Sequence, residues 1–171
     1  MIETTEIDGV LIKKFIGKTG PFVIDIPVFR SMDGFTDEMR QFNYTLALWK
    51  ERKAFHEHHS QDDEWFFDGG EAVVVLYDGR ISSPTYLQKI RIKVSGDCLI
   101  VIRIPRGVLH GYTVLSENCT LFYNVNNEYN PAPEKIDEKT TPYDAEHINF
   151  DWDKLEFKVL CVKKTSGKKW F

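Results

Sequence analysis

No stretch of this sequence approaches the ~20 consecutive apolar residues that a bilayer-spanning helix needs, which argues against a membrane protein. The start, Met1-Ile2-Glu3-Thr4-Thr5-Glu6, lacks the basic and apolar regions of a secretory leader. Cysteine is scarce. Cys98, Cys119 and Cys161 are odd in number and sit in apolar runs, which predicts buried thiols and not a disulfide framework. A cytoplasmic chain is therefore expected, in which the triplets Asn43-Tyr44-Thr45 and Asn118-Cys119-Thr120 carry no meaning for glycosylation. An excess of positive charge is missing too. Lys and Arg number 22 against 26 Asp and Glu, a formal net charge of −4. Nothing in that balance attracts phosphate backbones or anionic lipid, so neither nucleic acid nor a membrane surface is expected as a partner. Repeats and low-complexity tracts are absent as well. What is present, 42% hydrophobic and 13% aromatic residues in a chain of 171, suffices for one core and predicts one domain over residues 1–171.

From Gly9 to Val125 the apolar runs are short and rich in β-branched or aromatic residues, with turn residues roughly every ten positions. That spacing belongs to an all-β sandwich or barrel. Strands are expected at Val10–Phe15, Phe22–Pro27, Tyr44–Trp49, Ala54–His58, Trp65–Phe67, Glu71–Tyr77, Leu87–Val94, Leu99–Ile104, Gly111–Leu115 and Thr120–Val125. Asp68-Gly69-Gly70, Asp78-Gly79 and Ser95-Gly96-Asp97 supply turns that tolerate positive φ. Gln88–Val94 alternates and should have one wet face, whereas Ala72–Leu76 is apolar on both sides, as a strand between two layers would be. One short helix is expected at Gly34–Phe42. Asn126–Asn149 holds three prolines, many charges and little periodicity, the composition of a long loop that covers a site, packs on a partner or is simply solvated. Beyond it, Asp153–Phe171 carries six lysines, a solvated face, around an apolar Phe157–Val162 segment that suits a strand or a packing arm.

Three of the five histidines cluster at His56, His58 and His59, and a fourth, His110, lies in the run Ile104-Pro105-Arg106-Gly107-Val108-Leu109-His110-Gly111. On a strand His56 and His58 share a face and His59 points away. The spacing His56-x-His58, four residues, Asp63, six residues, Gly70 resembles the first motif of the cupin superfamily, with Asp in place of Glu. Pro105-x-Gly107-x-x-His110 resembles the core of its second motif. The resemblance implies a jelly-roll barrel, a double-stranded β-helix with N- and C-terminal arms, closing on a pocket.

Within that superfamily, Ile104–Ser116, Leu121-Phe122-Tyr123 and Asn127-Glu128-Tyr129-Asn130-Pro131 look like the dTDP-4-dehydrorhamnose 3,5-epimerases, and Lys53-Ala54-Phe55-His56 falls where that family carries R-G-L-H. The resemblance runs from about Gly20 to Trp152. It implies a cofactor-free homodimeric enzyme that inverts carbons next to the C4 ketone of a nucleotide-linked sugar. His56 matches the base on one side of the ring, and Tyr129 the acid on the other. Lys53, His58, Asp63, Glu64, His110 and Arg30 fall to substrate binding. Phe22, Phe29 and Arg30 lie in the N-terminal region that crosses to the neighbouring subunit in those enzymes. Trp65-Phe66-Phe67 reads as barrel core.

Three departures leave other readings open. The family's lysine near the ketone oxygen aligns with Asp63 or Glu64. A carboxylate ~4 Å from a developing enolate repels it by roughly 4 kcal/mol at an effective dielectric of 20, about a thousandfold in rate. Lys53 replaces an arginine, without its bidentate fork. The aspartate that orients the family's imidazole has no match after Trp152, where Lys163-Lys164-Thr165 occurs. The second reading is a metal-dependent isomerase or oxygenase with one divalent ion on His56, His58, Asp63 and His110. The third is a relative that binds a nucleotide sugar without turning it over.

Overall fold

The computed structural model describes residues 1–15, 18–19, 24–30, 32, 34–35, 38–96, 99–132, 136–152 and 158–159. Among them the regular structure is β throughout, and no helix is long and apolar enough to cross a membrane. Fourteen strands run in chain order: β1 Ile2–Thr4, β2 Leu11–Lys14, β3 Lys18–Thr19, β4 Ile24–Asp25, β5 Gln41–Leu48, β6 Arg52–His58, β7 Asp63–Asp68, β8 Glu71–Asp78, β9 Lys89–Ser95, β10 Ile100–Ile104, β11 Val108–Val114, β12 Asn118–Val125, β13 Glu138–Thr141 and β14 Lys158–Val159. Two six-stranded sheets are ordered β1-β2-β10-β7-β12-β5 and β13-β6-β11-β8-β9-β14, and β3 pairs with β4. The pairings are antiparallel except for β14 on β9. The expected all-β jelly roll is the fold found.

The core lies between the sheets and follows from period-2 alternation. Trp65 and Phe67 of β7, and Ile100, Ile102 and Ile104 of β10, point inward to meet Ala72, Val74 and Leu76 of β8. The strand expected to be apolar on both faces is so for a reason: Val73, Val75 and Tyr77 of β8 point outward into a second cluster with Phe55, Ile148 and Trp152. Residues 142–152 thus cover the outer face of that sheet. Trp152 Nε1 donates to the Tyr143 carbonyl at 2.8 Å, Lys89 Nζ donates to the Ile148 carbonyl, and the Arg91 guanidinium lies 4.1 Å from the Phe150 ring centre. On the other sheet, Phe66 and Val101 point outward and are covered by Ile26, Val28, Phe29 and Phe35 of the N-terminal arm. Phe66 therefore belongs to this outer cluster and not to the barrel core. In β9, Ile92 and Val94 point inward while Arg91 and Lys93 do not, the alternation expected there.

The helix expected at Gly34–Phe42 is not found among the described residues of that stretch. Gly34 and Phe35 form a bend, and Gln41 and Phe42 already belong to β5. Cavity and outer-face demands at alternate positions of β5 override the weak helical pattern. The long segment Asn126–Asn149 is not wholly irregular, because β13 lies within it and pairs with β6. Cys119 is a buried free thiol, which burial and Asp68 push up to about 11. Cys98, Cys161, Phe22 and the run Lys163-Lys164-Thr165 lie outside the described residues.

Candidate active site

The histidine cluster is built by two antiparallel strands and one irregularity. β6 and β11 pair so that His56 faces His110, after which the register shifts and Lys53 faces Tyr112. Three steps on β6 therefore match two on β11, the signature of a β-bulge. Its effect is geometric. Residues three apart on a regular strand face opposite ways, yet Lys53 and His56 both line the cavity while Phe55 between them points out into the outer cluster. His58 follows on the same face as His56. The end of β6 is pinned by Gly107, whose N–H donates to the His58 carbonyl at 2.8 Å. Gly107 has φ +78°, and a Cβ there would lie 2.9 Å from Arg80 Cγ, so the turn Pro105-Arg106-Gly107 requires glycine.

The imidazoles of His56, His58 and His110 and the carboxyl of Asp63 are all buried, with one ligand-type atom from each lying within 4.8 Å of the others. The His56 and His110 ring centres are 4.0 Å apart, edge to face, and His58 lies 5.5 Å from each. His110 Nδ1 donates to the Val108 carbonyl at 2.8 Å, which leaves Nε2 as the acceptor nitrogen, 3.6 Å from Asp63 Oδ2. His58 Nε2 lies 3.8 Å from Asp63 Oδ1, and the Gln61 amide donates to both, at 3.2 and 2.7 Å. Trp65 Nε1 donates to Asp63 Oδ2 at 2.9 Å. Two buried ring nitrogens, His58 Nδ1 and His110 Nε2, have no hydrogen-bond partner.

Burial, the neighbouring His110, the Lys53 ammonium and His58 together lower His56 to about 2, against an opposing pull from Asp63. Burial and His58 lower His110 to about 3, although its bond to Val108 works the other way. Both rings are thus neutral at physiological pH.

The cluster forms the floor of a cavity of about 270 Å³. His56, His58, Asp63 and Lys53 contribute to its lining, as does Tyr129 from the chain that follows β12. Tyr129 is 67% exposed, and its backbone N–H is held by Gln41 Oε1 at 2.9 Å. His110 does not line the cavity and stands behind His56 and His58. Glu64 does not belong to the site. It follows Asp63 on β7 and therefore faces the other side of the sheet, where it is buried. Arg30 is exposed and does not line the cavity of its own chain. His59, beyond the end of β6, is exposed. Several lining residues had escaped the sequence reading: Gln41 and Asn43 on β5, Gln61 before β7, Asp137, and Glu138 on β13. For the first two there was a signal in the strict alternation Gln41-Phe42-Asn43-Tyr44. Tyr123 of β12 also faces the cavity, and burial, Asp63 and Glu138 push its hydroxyl upward.

Two facing sheets with paired histidine strands and a pocket at one end define a cupin-type barrel. Comparison with known proteins narrows that class. The sequence profile of dTDP-4-dehydrorhamnose 3,5-epimerase matches residues 27–169. The spore coat polysaccharide biosynthesis protein SpsL of Bacillus subtilis (strain 168) is 36% identical over 148 residues, covering 86% of this chain and 97% of that protein. The dTDP-4-dehydrorhamnose 3,5-epimerase of Shigella flexneri is 31% identical over 100 residues, 58% of this chain and 52% of that one. Among solved structures, dTDP-6-deoxy-D-glucose-3,5-epimerase RmlC from Legionella pneumophila, in complex with dTDP-4-keto-L-rhamnose, superposes with a TM-score of 0.80 at 24% identity over 93% of this chain and 87% of that one. The chain belongs to the dTDP-4-dehydrorhamnose 3,5-epimerase family.

Proposed function

We propose that this chain epimerises a nucleoside-diphosphate-linked 4-keto sugar in the synthesis of a deoxysugar or surface polysaccharide. The C–H bond beside the ketone breaks, its proton passes to His56, and the electron pair moves into an enolate. Tyr129 then delivers a proton to the opposite face of the same carbon, so the product is an isomer with no change in oxidation state and no cofactor consumed. The observation that carries this reading is that a neutral buried imidazole on the floor and a phenol on the rim line one cavity. At about 270 Å³ that cavity lies just below the usual size of small-ligand pockets and suits a sugar ring more than a whole nucleotide sugar. The diphosphate then extends outward along Lys53, the cavity's one lysine or arginine among the described residues.

The proposal includes a homodimer. β5 is an edge strand whose polar residues Gln41 and Asn43 face the cavity, while Phe42, Tyr44, Leu46 and Leu48 point outward and are 59%, 60%, 53% and 64% exposed. An apolar row of that size on an open edge suits a protein partner, here a second copy. Arg30 is exposed and follows Phe29, whose ring packs on Phe42 of this face, so the second copy would lie beside it.

Deuterium wash-in from D2O at the carbons flanking the ketone tests the chemistry. A 4-keto sugar nucleotide such as the dTDP-linked 6-deoxyhexose should exchange with the native chain. His56→Ala should abolish exchange, and Tyr129→Phe should permit exchange while blocking inversion. No exchange with any 4-keto sugar nucleotide, or full exchange in His56→Ala, refutes the reading.

A further inference from the structure

We infer that Tyr123 is the electrophile of this site: its phenol donates a hydrogen bond to the ketone oxygen and stabilises the enolate that forms there. The inference rests on the proposed function and deepens it, because that reaction puts negative charge on one oxygen, and neither His56 nor Tyr129 meets it.

The need for a donor follows from charge. When the C–H proton passes to His56, the bonding pair becomes a carbon–carbon double bond and the C=O electrons move onto oxygen, so a donor must already stand where that charge develops. Asp63, Glu128, Asp137 and Glu138 line the cavity and repel such a charge, and Lys53 is taken by the diphosphate in the proposed function. Two neighbouring donors are turned to the protein itself: Gln61 Nε2 and Trp65 Nε1 donate to the Asp63 oxygens at 2.7 and 2.9 Å. Gln41 is engaged too, donating to Asn43 Oδ1 at 2.6 Å and accepting the Tyr129 N–H at 2.9 Å.

Tyr123 is placed for the task. On β12 the residues facing the cavity alternate as Leu121, Tyr123 and Val125, and Tyr123 sits opposite Trp65 of β7 and Asn43 of β5. Its phenol therefore rises from the sheet that faces the one carrying His56, and the Trp65 ring beside it lies 6.2 Å from the His56 ring between centres. Tyr129 stands on connecting chain, whereas Tyr123 is half-buried on a strand paired along both edges, the rigidity that a preorganised donor needs. Among the described residues its hydroxyl makes no hydrogen bond, so the donor is open to a ligand. Burial, Asp63 and Glu138 push the phenol above its ordinary 10, which keeps its proton in place at physiological pH. It donates a hydrogen bond and gives up nothing, and the bond relaxes when the carbon is reprotonated.

The ketone oxygen is shared by both flanking carbons, which gives the test its signature. With the dTDP-linked 4-keto-6-deoxyhexose, deuterium wash-in should slow by about a hundred- to a thousandfold in Tyr123→Phe, equally at the two carbons, with kcat falling far more than KM. Tyr129→Phe, by contrast, should keep its exchange. Tyr86→Phe, at an exposed tyrosine outside the cavity, should behave as the native chain does. Tyr123→Phe removes only an unpartnered hydroxyl, so its thermal melt should match the native one; Tyr123→Met stands in if that variant does not fold. A second measurement needs no turnover. In His56→Ala the ¹³C resonance of the bound ketone, labelled at C4, should move downfield, and adding Tyr123→Phe should remove most of that move. Exchange in Tyr123→Phe within about threefold of native, slowing at one carbon only, or a raised KM with kcat unchanged overturns the inference and leaves the epimerase standing. A native chain that exchanges no 4-keto sugar nucleotide overturns both.

Discussion

Asp78 ends β8 with its carboxyl wholly buried, and five donors converge on its two oxygens. Oδ1 accepts Arg80 Nε at 2.8 Å and the Arg80 backbone N–H at 3.1 Å. Oδ2 accepts Arg80 Nη2 at 2.9 Å and the hydroxyls of Ser83 and Thr85 at 2.6 Å each. Arg80 Nη2 also donates to the Asp8 carbonyl at 2.7 Å, so one carboxylate organises the β8–β9 connection and ties it to the N-terminal strands. Asp78→Asn keeps the shape, removes the charge and turns an acceptor into a donor that faces donors. Breaking a buried ion pair on one side costs about 3–5 kcal/mol. Arg80 is 24% exposed and can recover some hydration, so about 3 kcal/mol is expected. For a chain of this length that is a fall in Tm of roughly 6–12 °C. The pH dependence has a definite sign. Burial works against the charged form, but the hydrogen bonds from Arg80, Ser83 and Thr85 outweigh it and hold the carboxyl well below its ordinary 3.8. The stabilisation is therefore fully present above that value and is lost only as pH falls through the lower, folded one. Urea melts of native and variant chains should differ by a constant amount from pH 8 to pH 5 and converge only in strong acid. A difference under about 1 kcal/mol at pH 7, or one that closes between pH 7 and pH 5, would refute the reasoning.

Three further outcomes are expected. Gly70→Ala should impair folding severely, because Gly70 has φ +73° and an added Cβ would run into the Asn118 carbonyl oxygen; an unchanged thermal melt would count against this. Phe55→Ala should cost about 3–5 kcal/mol in urea melts by hollowing the cluster in which its ring packs 5.3 Å from Trp152 and 5.9 Å from Phe150. Leu46→Asp, on the outward row of β5, should shift the chain from dimer to monomer in light scattering while leaving the melt cooperative. A native chain that is already monomeric would remove the dimer from the proposal.

Much of the barrel was readable because its strands are short and bounded by residues with turn chemistry. β8 and β9 were legible down to which side chains face which way, since Ala72–Leu76 is apolar throughout and Gln88–Val94 alternates. That His56 and His110 come together was legible from motif spacing, but that they face each other across paired strands was not. The start of β5 was not, because its apolar residues face outward and its polar ones face the cavity, the inverse of the usual rule. β13 was hidden for a related reason: Glu138-Lys139-Thr140-Thr141 is mostly exposed and takes its form from pairing with β6, so no apolar pattern marks it. The side of Glu64 followed from period 2 once β7 was known to begin at Asp63, two residues earlier than its aromatic run suggested. The bulge that brings Lys53 and His56 to one face had no signature in the sequence.

The division of labour between floor and rim bears on how such a protein diverges. His56 shares a strand with Phe55, which is wedged beneath Trp152 and Phe150, so tilting the imidazole would mean dislodging a packed aromatic layer on the far side of the sheet. Tyr129 and Asp137 sit on connecting chain that carries little of that packing. Under the proposed function, the connections around Tyr129 can be rewritten for one sugar or another while the packed floor that holds His56 is inherited intact.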